Sequence, residues 1–83
     1  MRIIGLDVGT KRIGVAKADT SVRIAIPNGY VLVNGQEIPE ILRIARLNDT
    51  NFFVVGLPRS NDGNKTAQSA YARKFADNLA ASM

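Results

Sequence analysis

The sequence predicts an α/β domain: a mixed four-stranded sheet of order 3-2-1-4 with two helices packed on it. Three observations predict it. The chain opens with three apolar or alternating segments joined by tight connections, the pattern of an antiparallel meander. The apolar period then changes to that of a helix over residues 36–47 and again over 66–80. Between the two helical stripes lies an unbroken apolar run, Phe52-Phe53-Val54-Val55-Gly56-Leu57. A right-handed crossover places this fourth strand parallel to the first.

Each element has its own warrant. Residues 2–7 form a short isoleucine-rich run that stops before Gly9 and reads as a buried strand. Residues 12–18 alternate Ile13 and Val15 with the small Gly14 and Ala16, and the short 8–11 link makes the pair a hairpin. Residues 23–26 and 30–33 flank Pro27-Asn28-Gly29 and read as a third strand interrupted by a kink or bulge. Ile38, Ile41, Leu42 and Ala45 mark one face of a helix over 36–47, and Pro39 sits in its first turn, where a missing N–H does little harm. The 52–57 run is the kind found inside a sheet covered on both faces. Residues 58–65 form a polar loop with an Asp62-Gly63 turn signal. Ala72, Phe75, Ala76 and Leu79 then repeat the helical stripe.

Size and composition bound the function. The chain has 83 residues and 9.0 kDa, enough for one small domain over 1–83. There is neither cysteine nor histidine, which excludes a disulfide framework, a thiol nucleophile, a Cys/His zinc site and a Ser-His-Asp triad within the chain. Chemistry is left to carboxylates, hydroxyls, lysines or an oxygen-bound metal. The net charge of +4 and pI near 10.0 point toward a polyanion. No apolar run is long enough to span a membrane, and the N-terminal stretch is too short for a signal peptide, so a cytoplasmic location is expected. The fourth strand would be both the most apolar and an open edge. The chain is therefore expected to be a piece of something longer, or to pair with a partner, including a second copy through that strand.

Strand direction gathers the polar candidates at one end of the sheet. Asp7 ends strand one beside Thr10, Lys11 and Arg12, and the loop after the parallel strand four, with Arg59, Ser60, Asn61, Asp62 and Lys65, emerges at the same end. Ligands of open α/β sheets favour such a crevice. Asp7 has two readings, a metal ligand or a carboxylate that accepts backbone N–H groups of the following turn. Gly9 permits a tight turn or close approach of a phosphate. Lys11 and Arg12 are either a grip on a phosphodiester or solvated surface charge. Asp62 is a turn residue that is also able to approach Asp7. Asp19 ends strand two at the far end of the sheet, about 20 Å from Asp7. Glu37 and Glu40 suit a helix N-terminus, Asp49 the turn after that helix, and Asp77 a solvated helix face.

The opening Ile3-Ile4-Gly5-Leu6-Asp7-Val8-Gly9-Thr10-Lys11-Arg12-Ile13-Gly14-Val15-Ala16 resembles the start of the YqgF family, RNase H-like bacterial proteins also called RuvX-like Holliday-junction resolvases. Val54-Val55-Gly56-Leu57-Pro58 with Asp62-Gly63, and the stretch 68–79 with Arg73, Phe75 and Ala76, match it in the same order. The resemblance implies an RNase H-like fold in which acids hold Mg²⁺ or Mn²⁺ and phosphodiester bonds are hydrolysed. It implies a role in processing the 5′ end of pre-16S ribosomal RNA, with structured RNA or branched DNA as substrate. Asp7 corresponds to the first catalytic acid and metal ligand. Gly9, Thr10, Lys11 and Arg12 match the turn beside it. Gly56-Leu57-Pro58 and Asp62-Gly63 match the second active-site loop, and Arg59 and Lys65 extend the nucleic-acid-binding set. Family members continue into a fifth strand with an Asp-Glu motif and a last helix carrying another aspartate, neither of which this chain contains. The chain alone is therefore expected to be weak or inactive. Two other classes remain open: a non-catalytic module binding nucleic acid or a partner, and a nucleotide-binding half-domain like those of actin, Hsp70 and sugar kinases.

Overall fold

The computed structural model describes residues 1–56 and 67–83. The elements run β1 (Arg2–Val8), β2 (Arg12–Asp19), β3 (Ile24–Leu32), α1 (Glu37–Leu47), β4 (Phe53–Val55) and α2 (Ala67–Ala81). The sheet order is β3-β2-β1-β4, with β1 antiparallel to β2 and parallel to β4, as the meander and crossover require.

Alternation along the strands decides which face is covered. Ile4, Leu6 and Val8 of β1, Ile13 and Val15 of β2 and Val31 of β3 all point to one side. There they meet Ile41 and Ala45 of α1 and Ala72, Phe75 and Leu79 of α2 in a single core. Both helices thus lie on the same face. The opposite face carries Gly5, Asp7, Gly14, Ala16, Tyr30 and Val54, and none of the described helices covers it.

This corrects the expectation for the fourth strand. It is shorter than residues 52–57, and Val54 is 58% exposed, because only the side of Phe53 and Val55 faces the helices. The third strand carries the expected bulge. It runs through Pro27-Asn28-Gly29 as one element, with a one-residue register shift against β2 between Gly14 and Ala16. Gly29 adopts φ +82° at this bulge, a backbone angle that favours glycine. Pro27 is tolerated because β3 is an edge strand. Helix α1 begins one residue later than the periodicity suggested, at Glu37, with Gln36 as its N-cap. The Asn34 side-chain oxygen accepts the Gln36 N–H and the Glu37 carboxylate accepts the Gly35 N–H. The start of the second helix at Thr66, and the 58–65 loop with Leu57, fall outside the described residues.

Candidate active site

The β1–β2 hairpin builds the site. Its link is Gly9-Thr10-Lys11, closed by the Gly9 N–H donating to the Arg12 carbonyl at 3.0 Å. The carbonyl of Lys11 accepts the Val33 N–H at 3.0 Å, which ties the hairpin to the end of β3. A Cβ at Gly9 would stand 2.7 Å from the Arg12 carbonyl oxygen, so the tight closure needs glycine there. The close approach observed at Gly9 is thus one of backbone to backbone. On the other side the Gly56 N–H donates to the Leu6 carbonyl at 3.0 Å, holding the end of β4 beside the residue before Asp7.

Asp7 projects from the open face and is exposed. Residues 2–7 read as a buried strand, yet Asp7 stays in solvent because both helices pack on the other face. Among the described residues no hydrogen bond or ion pair reaches its carboxylate, and the hairpin N–H at Gly9 goes to Arg12 instead. The turn-capping reading of Asp7 therefore loses its donor.

Asp7 pairs with Gly14, and Gly14 with Tyr30, so the three share one row across the sheet. Gly14 contributes no side chain, and a shallow depression forms between Asp7, Val8, Gly9, Arg12, Gly14 and Tyr30. The guanidinium carbon of Arg12 lies 5.5 Å from the centre of the Tyr30 ring, a cation–π contact. Thr10, Lys11 and Arg12 are exposed at the mouth of the hairpin. Of the expected site residues, the fold thus brings together Asp7, Gly9 and Arg12, with Thr10 and Lys11 beside them. Arg59, Asp62, Gly63 and Lys65 lie outside the described residues.

The remaining acids are elsewhere. Asp19 pairs with Arg2, five positions along the ladder from Asp7, about 17 Å away. Its carboxylate accepts the Ser21 hydroxyl at 2.6 Å and the Ser21 N–H at 2.9 Å, with the N-terminal ammonium at 3.5 Å. These bonds, Ser21's first, hold its pKa below the usual aspartate value. Glu40 pairs with Arg43 on the surface of α1, which lowers its pKa and raises that of Arg43. Both line a larger recess between α1 and β3, away from Asp7. Among the described residues, no three acids are grouped so as to hold a metal ion. Among the described residues, Asp7 alone offers an exposed, unpaired oxygen donor pair on the open face, which suits one ligand position of a hard, largely hydrated cation.

Tyr30 is the site residue that the sequence reading passed over. Periodicity places it in a strand, but its row and its face depend on the register of two ladders and on the bulge before it.

No helix of the described residues is long and apolar enough to cross a membrane. The family model described as RuvX, Holliday junction resolvase, matches residues 1–83. The chain is also similar to proteins named "Putative pre-16S rRNA nuclease". It is 40% identical over 81 residues to that of Fusobacterium nucleatum subsp. nucleatum, covering 94% of this chain and 57% of the relative. It is 42% identical over 82 residues to that of Anaeromyxobacter sp. (strain Fw109-5), covering 96% and 60%. For Chloroflexus aggregans the identity is 41% over 81 residues, covering 95% and 57%. The chain spans less than two thirds of the length of these relatives. Since the model of one family matches the sequence from its first residue to its last, the chain belongs to the RuvX Holliday junction resolvase family.

Proposed function

We propose that this chain carries the first catalytic acid and the phosphate-gripping hairpin of a metal-dependent nuclease that acts in 5′-end processing of pre-16S rRNA. The observation that carries this reading is Asp7, an exposed carboxylate without a protein partner among the described residues, beside Lys11 and Arg12. No described residue donates to it, so both of its oxygens are available to a ligand. The names of the relatives support the substrate class.

Asp7 would hold Mg²⁺ or Mn²⁺. The metal, when bound, supplies charge stabilisation and an activated water at the phosphodiester. The residues of this chain do the rest. Gly9 keeps the hairpin tight, so that Asp7 and Arg12 stay on one rim. Lys11 and Arg12 bind the phosphate backbone, and Thr10, Arg59, Gly63 and Lys65 extend that contact. A single carboxylate on the described open face is too little for two-metal hydrolysis, so the chain by itself is proposed to bind nucleic acid better than it cuts it. That same observation favours the second reading, a non-catalytic nucleic-acid- or partner-binding module. The family match over the whole chain favours either over a nucleotide-binding half-domain.

We place the protein in the cytoplasm, where its RNA substrate is made. Pairing of two copies through β4 is a further proposal: β4 is at the end of the strand order, and Phe52 and Val54 are exposed there.

The test is RNA cleavage and RNA binding with Asp7→Asn, under Mg²⁺ or Mn²⁺. Loss of whatever cleavage the chain shows, with binding retained, supports the nuclease reading. Equal cleavage in Asp7→Asn contradicts it. RNA binding with no metal response in either protein would favour the binding module.

A further inference from the structure

Tyr30 has no role in the core. It is 59% exposed, at the edge of the sheet, on the same open face as Asp7. Three features nevertheless fix its ring. Gly29, immediately before it, holds a positive φ at the bulge, which sets where the side chain leaves β3. Arg12 lies over the ring and restrains it. Gly14 separates Tyr30 from Asp7 in the row and presents only backbone.

Asp7 and Tyr30 sit two strands apart, about 10 Å between backbones. A nucleic acid offers an anionic phosphate and a flat base joined by a sugar, and the open face offers a cation beside a flat aromatic, with the Arg12 guanidinium carbon 5.5 Å from the centre of the Tyr30 ring. In a duplex both faces of each base are covered by its neighbours. Only an unpaired, unstacked base could lay its face on Tyr30.

Resting on the nuclease reading above, we propose that Tyr30 is a stacking platform for an unpaired nucleobase, with Arg12 bridging ring and phosphate backbone. The site then selects RNA that is single-stranded next to the phosphate gripped by Lys11 and Arg12. It is tolerant of sequence, because every base has a π face.

The full chain is titrated with a fluorescein-labelled oligouridylate and with a fully paired RNA duplex of equal length, at one fixed salt concentration. The single strand should bind more tightly. Tyr30→Leu and Tyr30→Ala should weaken its binding about 5- to 150-fold, while Tyr30→Phe stays within about twofold of the parent. Duplex binding should be unchanged in all three. Circular dichroism checks that each variant is folded, and Tyr30→Leu keeps an apolar side chain on the strand. The chain has no tryptophan, so tyrosine emission reports stacking directly. In a Tyr71→Phe background the oligouridylate should quench Tyr30. Equal single-strand affinity in folded Tyr30→Leu, or an equal loss on the duplex, overturns this proposal and leaves the nuclease reading standing. No binding of either probe by the parent protein overturns both.

Discussion

Gly9→Ala should destabilise the protein, although glycine-to-alanine changes at ordinary backbone angles usually do the opposite. The new Cβ would stand 2.7 Å from the Arg12 carbonyl oxygen. That obstacle is backbone, so no side chain can swing away to relieve it. The same oxygen accepts the Gly9 N–H at 3.0 Å, so moving it stretches or breaks the bond that closes the hairpin. Overpacking costs about 1–3 kcal/mol, and the lost hydrogen bond about 0.5–1.5 kcal/mol. Restricting the unfolded chain returns about 0.4–1 kcal/mol. The net loss is about 0.5–4 kcal/mol, and each kcal/mol lowers Tm by about 4–8 °C at this size. Gly5→Ala is the internal comparison. A Cβ there meets Ala16 atoms only at 3.9 Å, so the change should be neutral or stabilising by up to about 1 kcal/mol. Urea melts followed by circular dichroism measure both. If Gly9→Ala is as stable as the parent, the tight hairpin is not what requires glycine, and the account of how Asp7 and Arg12 are held together fails.

Ile13→Ala, at a position with no exposed surface, should cost about 2–5 kcal/mol by denaturant melting, whereas Ile26→Ala, 55% exposed, should cost less than about 0.5 kcal/mol. Asp7→Asn should leave stability within about 0.5 kcal/mol, since the described structure gives its charge no partner to lose; a large loss in the same melts would mean that Asp7 is structural. Asp19 should titrate by NMR below the ordinary aspartate value. Its folded pKa is depressed, so its contribution is present above the unfolded value near 3.9 and lost as pH falls through the folded one. Asp19→Asn should flatten that acid limb of stability, and an unchanged limb would assign it to other groups.

Much of this fold is written in local pattern. The β1–β2 alternation, the helical stripe from Ile38 to Ala45 and the crossover to β4 are enough to order the sheet. The misreadings have one cause, which is that face coverage is a tertiary property. Phe53 and Val55 look the same in sequence as Val54, but helices placed on one side only bury the first two more than the third. Pro27-Asn28-Gly29 is legible as a bulge, because proline and glycine inside a strand pattern fit an edge strand that gains one residue. Asp7 stands out by its position after an apolar run, yet its exposure depends on where α1 and α2 settle. Tyr30 becomes visible only when two ladders are in register, through a glycine that leaves its row open.

In the proposed function, Asp7 is kept free for a metal ion on the open face. Paramagnetic broadening of amide signals by Mn²⁺ tests it most directly. The account predicts saturable broadening centred on Asp7 and its ladder partner Gly14, competed by Mg²⁺ and absent in Asp7→Asn. Broadening centred on Glu37 and Glu40, or the same broadening in Asp7→Asn, would contradict it.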